Sequence, residues 1–253
     1  MMIDAPRREQ IPALRRLWME TFGDTEDFLD IFERTAFDVD RCRCVTVDGE
    51  TVAALYWFDC SCRGERFAYL YAISTAKSHR GRGICGRLME DTHRYLALQG
   101  YEGAILVPGS PTLFDFYGKA GYRTCSEIRR FNCTAGTEKA ELRRLFAQEY
   151  AALRRVFLPE GGVVQEHENI DFLQSQAVLY GGEGFLLAAR EEGDSLYGIE
   201  FLGAETYAPK ILCTLGYAKG SFRTAGEGIP FAMYRSLSER ALLPPAYFGL
   251  AFD

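Results

Sequence analysis

The sequence predicts a mixed α+β protein, in which a mostly antiparallel sheet is flanked by helices and a second, smaller α+β unit follows. Helical periodicity opens the chain, β-branched and aromatic runs occupy 42–75, and helices and strands then alternate to the end. Hydrophobic residues make up 47% of the 253 residues, which supports a packed core and excludes a disordered chain. We expect two domains, 1–134 and 135–253.

Two helices are expected first. Apolar residues at helical spacing predict a helix over 11–22, with Pro12 in its first turn and Gly23 after its end. Asp24 is the expected N-cap of a second helix that runs through Phe32.

Three antiparallel strands follow, because turn residues at 48–50 and 63–65 divide the apolar stretch 42–75. A hairpin turn at 48–50 places Cys42 opposite Tyr56. The two Cys-x-Cys pairs are Cys42/Cys44 and Cys60/Cys62. At the rise of a strand they lie roughly 13 Å apart, and a zinc ion with bonds of about 2.3 Å cannot bridge that distance. We expect reduced thiols and no metal site.

Helices and strands alternate through the rest of the first unit. The periodicity and turn residues predict a helix over 86–99, a strand over 104–107, a helix over 111–119 and a strand over 122–134.

The second unit is expected to begin with a helix capped by Thr137 and ended by Pro159. Further elements are predicted as a helix over 170–179, a hairpin of strands over 185–190 and 195–202, a helix from Pro209, and a strand over 247–252. The segment 209–217 is similar to 111–122, since each begins at a proline and ends in Gly-Tyr, and an internal duplication is the resulting hypothesis.

Charge and hydropathy exclude several kinds of partner. The 29 basic and 35 acidic residues give a net charge of −6, which offers no positive surface for nucleic acid or an anionic membrane. No apolar run has the length of a membrane span, and residues 1–10 lack the apolar stretch of a signal peptide. We therefore expect a cytoplasmic protein.

The most informative segment joins a strand to a helix through a glycine-rich turn, residues 80–86. Such a turn directs several unpaired backbone N–H groups at one point, with the positive end of the helix dipole behind them, so it can bind a pyrophosphate. Glycine allows the phosphate to approach because it has no Cβ. The candidate cofactor-binding residues are Ile73, Ser74, Thr75, Arg80, Gly81, Arg82, Gly83, Ile84, Cys85 and Gly86.

Gly81, Gly83 and Gly86 also have the spacing of the dinucleotide fingerprint, with Glu102 where a ribose-binding acid is expected. That fingerprint requires the strand and the first glycine to be nearly adjacent, whereas 77–80 intervenes. A dinucleotide-dependent oxidoreductase is therefore the less favoured alternative.

Two motifs resemble the GNAT superfamily of N-acetyltransferases. Its acetyl-CoA signature, Arg/Gln-x-x-Gly-x-Gly/Ala, is similar to residues 80–85, and its later Tyr-x-x-x-Gly-Phe/Tyr is similar to 117–122. The resemblance covers roughly 1–134. It departs from the family at Cys85, where glycine or alanine is usual; we interpret this cysteine as a small residue, the alternative being a nucleophile activated by the helix N-terminus.

The resemblance implies acetyl-CoA as co-substrate and direct attack of an amine on its thioester. Ile73 and Thr75 would align the pantetheine arm, and a backbone N–H near Thr75 would stabilise the oxyanion. Tyr117 would protonate the leaving thiolate, or else only pack against the cofactor arm. A non-catalytic acyl-CoA sensor is the main alternative to an acetyltransferase.

The base and the acceptor stay open. Asp24, Glu26, Asp59 and Glu65 are candidate bases, and the carboxylate of Asp253 is a further one. The acceptor would be a small-molecule or peptide amine, and an oligomer is compatible with the sequence. The second unit has no counterpart of the glycine-rich turn, so we expect a degenerate copy without a cofactor site.

Overall fold

Helices and strands alternate in the computed structural model, which describes residues 1–252 and confirms the mixed α+β class. The strands are β1 (Met2–Asp4), β2 (Cys42–Val47), β3 (Glu50–Cys62), β4 (Glu65–Thr75), β5 (Gly103–Leu106), β6 (Arg123–Thr134), β7 (Leu142–Arg144), β8 (Val164–Gln165), β9 (Val178–Gly182), β10 (Phe185–Glu192), β11 (Ser195–Gly203), β12 (Lys219–Ala225) and β13 (Ile229–Ser236). The helices are α1 (Ile11–Phe22), α2 (Glu26–Thr35), α3 (Ile84–Leu98), α4 (Pro111–Lys119), α5 (Ala147–Phe157), α6 (Glu168–Gln176) and α7 (Ala208–Leu215).

The strands form one continuous sheet in the order β1-β2-β3-β4-β5-β13-β6-β12-β11-β10-β9-β7, with the short β8 paired to β3. Most neighbours are antiparallel, and β4–β5 and β11–β12 are the parallel pairs within residues 1–252. The sheet therefore crosses residue 134 without a break: β13 comes from the second half of the sequence and lies between β5 and β6.

The two faces of the sheet carry different helices. One continuous hydrophobic cluster covers the first face and includes residues of α1, α2, α5 and α6. Two separate clusters lie on the other face, one under α3 and α4 and one under α7. Strand residues alternate between the faces, as in β3, where Tyr56 and Phe58 belong to the first cluster and Leu55 and Trp57 to the second.

The local predictions for the first half agree closely with the structure. Helices α1 and α4 have the predicted bounds, and Cys42 pairs with Tyr56 as expected for the hairpin. The N-cap of α2 is different: the Thr25 hydroxyl, not Asp24, accepts a hydrogen bond from the Phe28 N–H at 3.2 Å. Asp24 instead accepts a hydrogen bond from the Trp18 indole at 2.7 Å.

The helix expected from Thr137 to Pro159 is wrong in its first part. Residues 142–144 form β7, which pairs with β9, and α5 begins only at Ala147. The apolar period misled the prediction because Phe146 and Val156 are exposed. Likewise the helix expected over 170–179 ends at Gln176, and β9 begins two residues later.

The segment 247–252 is buried and irregular, so its prediction as a strand is wrong. Side chains satisfy much of its backbone: Ser126 Oγ accepts from the Phe248 N–H at 3.0 Å, and Gln165 Nε2 donates to the Leu250 carbonyl at 2.9 Å. Of the two strands that complete the sheet, β12 follows Gly216-Tyr217, where the similarity to 111–122 predicts a strand, whereas β13 was not expected from the sequence. No helix among residues 1–252 is long and apolar enough to span a membrane.

Candidate active site

The glycine-rich turn connects β4 to α3 and exposes its backbone. Gly81 and Gly83 have φ of 74° and 70°, in the left-handed region that favours glycine, and Gly83 is the N-cap of α3. Within residues 1–252, the N–H groups of 81–86 donate no hydrogen bond to the protein. A Cβ built at Gly81 or Gly86 would meet no atom within 4 Å. The turn can therefore bind an anion through these free backbone N–H groups.

Pairing between β4 and β5 stops before β4 reaches this turn. The two strands pair from Phe67 with Gly103 to Tyr69 with Ile105, β5 ends at Leu106, and the opening beyond is lined by 69–73 and 106–110. A register shift of β4 against β3 accompanies the opening, and Ala72 there has φ of 48°, a strained value for a residue with a side chain. The edge of β4 that faces the opening can accept a chain with amide groups.

The predicted residues at the end of β4 differ in where they point. Ile73 lines the cavity described below, whereas the side chain of Ser74 is buried and donates its hydroxyl to the Ala54 carbonyl of the neighbouring β3 at 3.3 Å. The carbonyl of Thr75 accepts a hydrogen bond from Arg80 Nε at 3.0 Å. That contact secures the turn to the strand.

Cys85 lies in the first turn of α3. Burial raises the pKa of its thiol to about 11, and the neighbouring Thr75 hydroxyl acts in the opposite direction. The thiol is protonated near neutral pH, which favours the interpretation of Cys85 as a small residue over that of a nucleophile.

Tyr117 is buried on α4, and its ring lines the cavity. Burial raises the pKa of its hydroxyl, and the nearby Cys85 thiol raises it further. Its hydroxyl makes no hydrogen bond to any residue of the described chain, so it is free to bind a ligand. The ring packs edge-on against Tyr122, with centroids 6.1 Å apart.

A cavity of about 1110 Å³ is lined by Ile73 of β4 and by Tyr117, and none of its described lining residues lies within 74–86. One wall comes from β4, β5 and α4, and another from α1 and α2, where Trp18, Phe22 and Phe28 supply aromatic rings. Residues of β6, α6, β10, β13 and the segment 247–252 close it: Arg130, Gln176, Arg190, Ile229, Pro230, Phe231, Ala251 and Phe252. Asp24 is the one carboxylate among the described lining residues.

The lining of the cavity distinguishes Asp24 from the other candidate bases. Asp24 lines the cavity. Glu26 pairs with Arg15, Asp59 with Arg66 at 3.0 Å, and Glu65 with Arg240 at 2.8 Å, and none of these three lines it. Asp253 lies outside the described residues.

The part of the wall that β6 and residues after 134 supply was not expected from the sequence. Arg130 lies on β6, Gln176 ends α6 and Phe252 follows the irregular segment, and no motif or spacing joins them. The aromatic density around 67–71 and 247–252 was the one available signal. In the structure the rings of Tyr69 and Phe248 pack with centroids 4.7 Å apart.

Comparison with known proteins assigns the first half to a family. Residues 3–125 match the family model of the acetyltransferase (GNAT) domain. None of the curated proteins is significantly similar in sequence.

Solved structures share the fold over nearly the whole chain. A GCN5-related N-acetyltransferase from Kribbella flavida superposes with a TM-score of 0.71 at 17% identity, covering 93% of this chain and 70% of that one. One from Anabaena variabilis gives 0.74 at 14% identity, with coverages of 94% and 73%. Eis1 from Mycobacterium abscessus gives 0.68 at 11% identity, with coverages of 94% and 74%. At these identities the likeness establishes the fold.

Proposed function

Since residues 3–125 belong to the GNAT family of acetyltransferases, we propose that the protein moves the acetyl group of acetyl-CoA to an amine by direct attack. One observation carries this proposal: β4 lines the same cavity as Tyr117 and Asp24 as far as Ile73, and the glycine-rich turn begins seven residues further along the chain, at Arg80. An anion-binding turn, an open strand edge, an acid and a carboxylate are thus connected.

The residues present fit acetyl-CoA. The free N–H groups of 81–86, at the positive end of α3, would bind the pyrophosphate. The edge of β4 near Ile73 would hydrogen-bond the amides of the pantetheine arm. A backbone N–H near Thr75 would stabilise the oxyanion that forms on the acetyl carbonyl.

Tyr117 is the proposed acid. As the amine nitrogen bonds to the acetyl carbon and the carbon–sulfur bond breaks, the Tyr117 hydroxyl donates its proton to the departing thiolate. The raised pKa keeps that proton on the hydroxyl at neutral pH. The attacking nitrogen loses its own proton to solvent or to a carboxylate, so the products are an acetamide and the free thiol of CoA.

Asp24 supports an amine as acceptor. Its carboxylate, held by the Trp18 indole, is a negative charge beside Phe22, Phe28 and Tyr71. An ammonium group is attracted both to a carboxylate and to the faces of aromatic rings. A small-molecule or peptide amine with an apolar body fits this surface.

We also propose that the second half, as a degenerate copy, binds no second cofactor. Strand β11, helix α7 and the parallel strand β12 repeat the arrangement of β4, α3 and β5. In topology α7 therefore corresponds to α3, not to α4 as the similarity of 209–217 to 111–122 suggested. The segment that connects β11 to α7 contains a single glycine, Gly203. It also contains Glu205, which is paired with Arg129 and would repel phosphate.

The test is turnover by the full chain. Acetyl-CoA is incubated with a panel of amines, the free thiol is followed by a colorimetric reagent, and the acetylated product is identified by mass spectrometry. The proposal expects amine-dependent thiol release and one acetyl-CoA bound per chain by calorimetry.

Other outcomes separate the alternatives. Binding of acetyl-CoA without amine-dependent turnover across the panel would favour the sensor. Stabilisation by NAD in place of acetyl-CoA in a thermal-shift assay would favour the oxidoreductase, since a ligand at 100 times its Kd adds about 2.7 kcal/mol. A calorimetric stoichiometry of two acetyl-CoA per chain would contradict the proposal that the second half binds no cofactor.

A further inference from the structure

The charges that line the cavity differ from those of the whole chain. The protein is acidic, with a net charge of −6. The charged side chains among the described lining residues, however, are Asp24, Arg130 and Arg190, two guanidinium groups and one carboxylate. Arg130 belongs to β6, in the first of the two expected domains, and Arg190 belongs to β10, in the second. A cavity for a simple cationic amine does not require them.

Arg130 is the arginine best placed for a ligand. It lies on β6 on the same face as the buried Ile128, directly opposite Arg223 of β12. Its side chain is exposed, and it forms no ion pair with any residue in 1–252. Arg190, by contrast, stacks on Tyr197, with its guanidinium carbon 5.2 Å from the ring centroid.

The next residue along the strand provides a comparison. Arg129 points to the opposite face of the sheet, where it pairs with Glu205 and lies 5.8 Å from the centroid of Phe131. Arg129 and Arg130 thus carry the same charge and lie on the same strand, but only Arg130 lines the cavity.

We propose that the acceptor carries an anionic group as well as its amine, and that Arg130 binds this group. The inference rests on the proposed function and names its substrate class: an amine joined through an apolar spacer to a carboxylate. A guanidinium donates two parallel hydrogen bonds to the two oxygens of a carboxylate, and the opposite charges strengthen them. A carboxamide is neutral and has only one acceptor oxygen, so it binds a guanidinium more weakly. Aromatic rings such as Phe231 and Phe28 would surround the spacer.

Matched acceptors test this proposal. The full chain is assayed with ω-amino acids of increasing chain length and with the corresponding ω-amino carboxamides. For the best length we expect kcat/KM to be about 10-fold or more higher for the carboxylate. Arg130→Gln should remove that preference, and Arg129→Gln should retain it. Added salt should weaken the preference, because Arg130 is exposed to solvent.

A second measurement does not depend on turnover. Calorimetric titration with hexanoate, in the presence of CoA, should show binding to the wild type and to Arg129→Gln, and none to Arg130→Gln. Hexanoate binding that needs Arg130, in a protein that acetylates no amine of the panel, would contradict the proposed function and still support the anionic subsite.

Three results would overturn the inference. They are equal kcat/KM for carboxylates and carboxamides in the wild type, an equal loss of preference in both arginine variants, and a raised KM for acetyl-CoA in Arg130→Gln with the acceptor preference intact. The last result would place Arg130 at the cofactor.

Discussion

The hydroxyl of Tyr117 is a side-chain group in the cavity that makes no hydrogen bond within the described chain, and this freedom distinguishes it from the nearby Tyr122. Tyr122 is buried and its hydroxyl is hydrogen-bonded to His93 at 2.7 Å. An acid needs a hydroxyl that is free to face a ligand: Tyr117 lines the cavity, whereas the Tyr122 hydroxyl is already bonded to His93.

Tyr117→Phe should lower kcat by about 100-fold, because the proton for the leaving thiolate must then come from water. The affinity for acetyl-CoA should stay nearly unchanged, since the ring remains in place. The measurement is single-turnover kinetics with a calorimetric Kd. A variant with wild-type kcat when chemistry limits turnover would reassign Tyr117 to packing.

Gly86 allows a residue-scale test of the glycine-rich turn. It is helical, and a side chain there meets open space, so Gly86→Leu should raise the free energy of unfolding by about 0.5–1 kcal/mol through helix propensity. The same side chain would occupy the space proposed for the pyrophosphate, so acetyl-CoA affinity should fall about 10-fold or more.

The control is Ala97→Leu, which adds the same side chain at the exposed far end of α3. It should leave the Kd for acetyl-CoA unchanged. Equal affinities for Gly86→Leu and the wild type would remove the pyrophosphate from this helix terminus.

At the scale of elements, α3 is fixed to the segment that joins α4 to β6 through a buried polar contact. His93 of α3 shares a hydrogen bond with the Tyr122 hydroxyl. Burial, together with the charge of Arg235, lowers the pKa of His93 from 6.5 to about 3. The folded protein therefore holds this imidazole neutral near pH 7.

This contact predicts a dependence of stability on pH. Because the pKa of His93 is lower in the folded state, its contribution is complete above about pH 6.5 and is lost as the pH falls toward 3. Between pH 7 and pH 5 this group alone should cost about 2 kcal/mol of unfolding free energy. Urea unfolding of the wild type and His93→Gln measures it: the variant should be less stable at pH 7 but lose less on acidification. Parallel losses in the two proteins would contradict the role of His93.

At the scale of the whole molecule, the single sheet joins the two halves. Strand β13 separates β5 from β6, and β12 pairs with β6 along seven residues, Lys219 to Ala225. The segment 247–252 packs on the same face, where Phe252 contacts Tyr69 and Tyr71. The division into domains 1–134 and 135–253 stays a proposal about origin, since the hydrogen bonds of the sheet do not stop at 134.

A chain that ends at Thr134 should therefore fail to fold on its own. Removal of β12 and β13 would expose both edges of β6 and one edge of β5, and unpaired edges promote aggregation. We expect insoluble protein, or a species without a cooperative thermal transition by circular dichroism. A soluble monomer with cooperative unfolding would show that the first half is independent.

Local chemistry along the sequence determined α1, α4, the hairpin that pairs Cys42 with Tyr56, and the position of the glycine-rich turn. Each of these depends on periodicity, a proline, or a glycine within a few residues, and such local preferences persist in the folded chain. The predicted site residues from Ile73 to Gly86 follow from the same short segment.

Only the tertiary structure decided which residues complete the cavity and where β13 lies. Asp24 became a lining carboxylate because the Trp18 indole holds it, a contact that competes with the helix cap expected there. Arg130 and Phe252 reach the same cavity through strand pairing and packing between segments more than a hundred residues apart. Such contacts depend on the closure of long loops and the burial of whole faces, and no local pattern in a single sequence records them.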